Sequence, residues 1–128
     1  MIVIDTSAIM VMALDEPQAD ECQTALSRAD HLAISAGTLT ELLIVAAGRG
    51  ISAEVNTLLE SADIEVVAVA SRSARNCADA YRRWGKGFHP AALNFGDCFA
   101  YALARERDCP LLFVGNDFKR TDVQSALV

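Results

Sequence analysis

Short apolar runs alternate with longer stretches of mixed polarity along this chain. IVID at 2–5, HLAIS at 31–35, IEVVAV at 64–69 and LLFVG at 111–115 are the apolar runs. Their length and their flanking turn or cap residues suit buried strands, and the β-branched content of 64–69 points the same way. The stretches between them read as helices. DTSAIMVMAL looks like a capped helical turn after the first strand. Asp15, Glu16 and Pro17 read as an N-cap with proline in the first turn of a helix to about residue 30. The segment 37–48 is a strongly apolar helix that Gly48 and Gly50 terminate. Ser52 can cap a further helix through 62, and Ser71 or Ser73 opens a polar, basic one to about 84. After a loop at 85–93, Asn94 can cap a last helix over 96–108. Strands alternating with helices predict an α/β three-layer sandwich with a central parallel sheet.

With 128 residues and no repeat or linker, one domain spanning 1–128 is expected. Apolar residues make up 52% of the chain, enough for a packed core, so intrinsic disorder is excluded. LLIVAA at 42–47 is far too short to cross a bilayer. The N-terminus lacks a basic segment and its apolar run meets Asp5 at once, which argues against a signal peptide and for a cytoplasmic protein. Cysteines 22, 77, 98 and 109 form no CxxC pair, and His31 and His89 lie far apart, so free thiols are expected rather than zinc or a disulfide framework. The net charge of −6 argues against a bulk electrostatic grip on nucleic acid.

Four acids stand in unusual company. Asp5 ends the first strand, Glu41 lies inside TLTELLIVAA, Asp97 inside NFGDCFAYALA, and Asp117 follows LLFVGN. Each has an ordinary explanation: helix capping for Asp5, a first-turn acid for Asp97, a turn for Asp117, a partnered core acid for Glu41. Topology weakens those explanations together. Ligands of open parallel sheets bind beyond the carboxyl ends of the strands, where Asp5 and Asp117 stand. The helix carrying Glu41 starts at the same edge, and Asp97 can reach it through the preceding loop. Clustered carboxylates repel one another, and a divalent cation removes the conflict. All-oxygen donors select hard ions, Mg²⁺ or Mn²⁺, and phosphodiester hydrolysis is the chemistry that fits.

IVIDTSAIM, TELLIV, LNFGDCFAYALA and LLFVGNDFKRTDV, in this order and spacing, resemble the PIN-domain nucleases, more closely the VapC-type toxins of toxin–antitoxin pairs. The resemblance covers essentially the whole chain. It implies a metal-dependent endoribonuclease with Asp5, Glu41, Asp97 and Asp117 as metal-binding and catalytic acids. It also implies a five-stranded sheet, a homodimer, and neutralisation by a small VapB-type antitoxin. Thr6 or Ser7 matches the hydroxyl that follows the family's first acid; either could hold a water beside the metal, and capping explains both equally well. Asp122 is a fifth acid near the end, a supporting residue at best. The alternative is a non-catalytic PIN-like module that binds RNA or protein. An acyl-phosphate domain fits poorly, because the third strand ends without an acid and Ser7 stands where the related phosphatases want a second aspartate.

Two surfaces are expected to matter. Residues 71–87 hold five bases, Arg72, Arg75, Arg82, Arg83 and Lys86, against one acid, Asp79. Tyr81 and Trp84 interleave with them, as stacking platforms for RNA bases or, equally plainly, as core-packing rings of a solvated amphipathic helix. The early helices carry more apolar positions than one core face needs, including Leu42, Leu43, Ile44, Val45, Leu58 and Leu59. Some of these should form a groove or a dimer face.

Overall fold

The computed structural model describes residues 1–127. In chain order the elements are β1 (Ile2–Ile4), α1 (Thr6–Ala13), α2 (Ala19–Arg28), β2 (Leu32–Ser35), α3 (Ala36–Gly48) and α4 (Ser52–Ser61). β3 (Ile64–Val67), α5 (Ser71–Trp84), α6 (Phe95–Glu106) and β4 (Leu111–Leu112) follow. All strand pairs are parallel and the order across the sheet is β3-β2-β1-β4. Val3 sits centrally, in register with Ala33 on one side and Leu111 on the other.

Alternation along the strands builds two cores. Ile4, Leu32, Ile34 and Leu112 face a layer made by α1 to α4. Val3, Ala33, Leu111 and Phe113 face α5, α6 and Phe118. Both faces of the central strands are therefore dry, as a parallel sheet requires. The three-layer α/β sandwich expected from the sequence is the observed architecture.

Several local expectations need correction. Among the described residues the sheet has four strands, not five: there the C-terminal segment reaches β4 through a single parallel bridge between Leu111 and Ser125. Hydrogen bonds from Leu111 N to Gln124 O and from Ala126 N to Leu111 O hold it there. Asp15 does not cap the second helix; it has φ +51° just after α1, and α2 begins four residues later, after Gln18. Ser52 is the first residue of α4 rather than its cap. The apolar helix α3 is not buried all round. Thr38, Leu42 and Ala46 face inward, while Leu43, Ile44 and Val45 are exposed. β3 is an edge strand, which explains its poor burial.

One close approach positions the helices that matter below. A Cβ on Gly37 would lie 2.5 Å from the Phe99 ring, so the first turn of α3 presses directly on α6. Gly37→Ala should force that ring to move. The expected loss of stability is about 1–3 kcal/mol, the usual cost of overpacking, read as a lower urea midpoint at unchanged slope.

Candidate active site

The sheet order reverses direction of growth between β1 and β4, and the crevice at their carboxyl ends is where four acids gather. Asp5 follows β1 directly, buried at 4% exposure. Its Oδ2 accepts hydrogen bonds from Ser7 N (3.1 Å) and Ser7 Oγ (2.7 Å), so it caps α1. Ser7 Oγ in turn accepts from Val114 N at 3.0 Å, which ties this capping turn to the end of β4. Both hydroxyls that follow Asp5 are bonded to acids: Ser7 Oγ donates to Asp5, and Thr6 Oγ1 donates to Glu41 Oε1 at 2.8 Å.

Glu41 lies in the second turn of α3, partly exposed. A Cβ on Gly96 would stand 2.0 Å from its Oε2. Only glycine lets α6 come this close to the carboxylate. Asp97 follows immediately, buried at 7% exposure. Its position was the least secure from sequence, because a long loop precedes it. The structure explains it: α6 runs back toward the start of β4, so its N-terminus lies at the carboxyl edge of the sheet. Asn94 and Asp97 form a reciprocal capping box, with Asp97 N donating to Asn94 Oδ1 (2.8 Å) and Asn94 N to Asp97 Oδ2 (3.0 Å). Asp117 stands exposed on the loop after β4, near enough for its charge to act on Asp97.

A common pattern runs through the three inner acids. Each has one oxygen pinned by the protein: Asp5 Oδ2 by Ser7, Glu41 Oε1 by Thr6, Asp97 Oδ2 by Asn94. No hydrogen bond from the described residues reaches the second oxygen of any of them. Asp5 Oδ1 is fully buried in that state. Among the described residues no three acids, histidines or cysteines stand close enough together, as placed, to hold a metal ion. The donor set is nonetheless all oxygen, orphaned and mutually repelling, which fits a hard divalent cation.

Electrostatics follow. Burial pushes the Asp97 carboxyl from its ordinary 3.8 up to about 7, the Asn94 backbone pulls it partly back, and the charges of Asp5, Asp117 and Glu41 add to the rise. Asp5 is raised mainly by burial, against the pull of the Ser7 hydrogen bonds.

The basic helix α5 packs along α6 on the other side of the sheet. Arg72, Arg75, Arg82, Arg83 and Lys86 are all exposed. Arg82 pairs with Asp79, one turn away. Arg83 lies 4.7 Å over the Trp84 ring and 3.5 Å from Asp122. Trp84 is no free stacking platform: its Nε1 donates to Tyr101 Oη at 2.8 Å and its ring packs edge-on against His89. Asp122 accepts from Tyr101 and faces Arg83 and Arg105, so it braces α5, α6 and the C-terminal segment. Phe95 drew no attention in the sequence, although an aromatic at the first position of a capped helix beside Gly96-Asp97 was visible there. It is 76% exposed.

The raised carboxyls set the sign of the pH response. The folded chain holds the Asp97 proton up to about pH 7, whereas the unfolded chain releases it near 4, so the folded state binds more protons between these values. Without divalent metal, stability should therefore fall as pH rises from about 4 to about 7 and level off above. Thermal melts in EDTA should show this fall, and Asp97→Asn should flatten it and melt above the parent at pH 8. A parent curve no steeper than the variant's would remove the electrostatic account.

The PIN domain family model matches residues 2–124. VapC ribonuclease Mb0640 of Mycobacterium bovis is 42% identical over 125 residues, 94% of this chain and 95% of that protein. Ribonuclease VapC28 of Mycobacterium tuberculosis is 44% identical over 129 residues, covering 98% and 97%. Among solved structures, VapC20 of M. tuberculosis, titled a sarcin-ricin loop cleaving toxin, superposes with a TM-score of 0.78 over the full length of both chains at 13% identity. VapBC-5 of M. tuberculosis, a member of the VapBC family of toxin–antitoxin systems, gives 0.65 at 27% identity over 98% of this chain and 94% of that one. From its fold, its matched length and its relatives, the chain belongs to the PIN-domain family, as a VapC-type ribonuclease.

Proposed function

We propose that the chain is a Mg²⁺- or Mn²⁺-dependent endoribonuclease toxin that hydrolyses RNA phosphodiester bonds at Asp5, Glu41, Asp97 and Asp117. The observation that carries this reading is the free oxygen on each of three acids whose other oxygen is pinned. Names of relatives support the ribonuclease part, and toxin–antitoxin complexes of the same fold support restraint by a small VapB-type antitoxin.

Asp5, Asp97, Glu41 and Asp117 would hold the cation. When bound, it supplies the missing positive charge and Lewis acidity for attack on the phosphodiester. The chain's own part is orientation. Ser7 fixes Asp5 and couples it to the end of β4, and Thr6 fixes Glu41. The Asn94–Asp97 capping box aims Asp97, and Gly96 lets α6 approach Glu41. Asp122 serves the scaffold through Tyr101 and two arginines rather than the acidic centre. A second copy of the chain is the fitting cover for exposed Leu43, Ile44 and Val45 on α3.

Asp97→Asn tests the reading. It preserves size and the capping acceptor while removing the charge. RNA cleavage with added Mg²⁺ should drop by at least about 100-fold, the scale of losing one preorganised charge at a developing anion, and EDTA should abolish the parent's activity. Full cleavage by the variant would dismiss Asp97. No cleavage by either protein, with RNA still bound, would mean a binding module without turnover.

On α5 and just past its end, Arg72, Arg75, Arg82 and Lys86 form the RNA track we propose, and Arg83 contributes through its hold on Trp84 and Asp122. Arg75→Glu with Arg82→Glu should weaken RNA binding at every sequence and lower the log–log salt slope by roughly 1.4, two contacts on a single strand. Unchanged affinity and slope would send the RNA elsewhere, with Lys119 and Arg120 beside Asp117 the next surface to probe.

A further inference from the structure

A groove of about 470 Å³ runs between α5 and the first turns of α6. Val69, Cys77, Tyr81, Phe95 and Phe99 form most of its wall, and Arg82 stands at its rim. The wall is almost wholly apolar. Phe95 and Phe99 meet edge to face, with ring centres 5.1 Å apart and planes at 83°. Phe99 is braced against α3 at Gly37. Phe95 has no such brace. At 76% exposure it supports no core, so its ring faces are offered to solvent.

Position and charge name the occupant. Phe95 opens α6 and Asp97 stands third in the same helix, so the groove lies beside the end of α6 that carries this acid. Arg82 brings a guanidinium to its rim, where Asp79 pairs with it. A flat aromatic group carried on a polyanion matches both features, whereas sugar or phosphate alone would leave the apolar wall unsatisfied.

We propose that this groove is a nucleobase subsite: Phe95 stacks on an unpaired base next to the phosphate held at the acidic centre, and Arg82 meets a flanking phosphate. The proposal rests on the ribonuclease reading above and adds what that centre requires of its substrate. Because the wall offers few hydrogen-bonding groups, the subsite reads stacking area rather than base edges. Purines are favoured over pyrimidines at one position, and paired RNA is rejected.

Binding of short single-stranded RNA to the full chain tests it, with Ca²⁺ in place of Mg²⁺ so that the acidic centre keeps a hard cation while cutting is suppressed. The RNAs carry 2-aminopurine as a stacking reporter, or one abasic site moved through each position in turn. Phe95→Ala should weaken binding by roughly 5- to 150-fold, the range expected for one base on one ring, and should abolish the reporter's quenching. Phe95→Trp should retain both. At one abasic position, parent and Phe95→Ala should bind alike. Equal affinity of parent and Phe95→Ala on intact RNA overturns the subsite, as does an equal loss on every abasic RNA. So does a dimer that becomes a monomer in sedimentation on Phe95→Ala while RNA affinity stands, since the face would then be a contact between copies. The parent's cleavage of RNA on adding Mg²⁺ is followed in parallel. A parent that neither binds nor cleaves RNA fails the ribonuclease reading itself, whereas a parent that cleaves normally with Phe95 indifferent fails the subsite alone.

Discussion

Repulsion among carboxylates gathered at one sheet edge is the constraint around which this molecule is organised. Asp5 and Asp97 are buried, Glu41 is partly so, and Asp117 adds its charge from the rim. Burial and mutual repulsion both favour the protonated form, and Asp97 is held protonated up to about pH 7. A chain shaped by stability alone would separate these groups. Here the local structure does the opposite. Capping turns at Asp5 and Asp97 hold one oxygen of each acid, the Thr6 hydroxyl holds one of Glu41, and no hydrogen bond from the described residues reaches the second oxygens.

The cost of that gathering explains the glycines beside it. Gly96 stands where any Cβ would collide with the Glu41 carboxylate, and Gly37 where one would collide with Phe99. Together they let α3 and α6, which belong to opposite layers, meet at the edge of the sheet. The strand order supplies the rest. With β1 between β2 and β4, the loops after all three strands open onto one crevice, and α6 returns its N-terminus to it. The hydroxyl of Ser7 joins two of those loops by a single hydrogen bond to Val114 N.

The second layer of function is kept apart from the first. Basic α5 lies against α6 and is secured by Trp84, Tyr101, Asp122 and two arginines. A chain of net charge −6 can thus present positive charge locally while its centre stays strongly negative. The same separation decides which aromatic is available. Trp84 is spent on bracing the helix, whereas Phe95 stays free at the mouth of the groove.

Much of this was legible in the sequence because local rules govern it. The alternation of short β-rich runs with capped helices specified the sandwich, and strand ends followed by acids marked the crevice. Asn94 announced the start of α6 through the same capping chemistry that the structure displays. What stayed hidden depends on neighbours distant in sequence. The exposed side of α3 could not be told from its buried side, since Leu42 to Ala47 are all apolar and only packing against α1, α4 and α6 selects Leu42 and Ala46. The missing fifth strand depends on how far the C-terminal segment can pair beside β4, which is a single bridge. Trp84 and Phe95 are each an aromatic in a polar stretch, and composition treats them alike. Tyr101 and His89 claim the first, while the second meets only the edge-to-face Phe99 ring among the described aromatic rings and stays 76% exposed. Sequence by itself determined where the acids stand along the chain, the Asn94 cap and the class of fold, because spacing and hydrogen-bonding groups act within a few residues. Tertiary structure alone decided which oxygens, rings and apolar faces remain unpaired, because that is settled only after every other contact has formed.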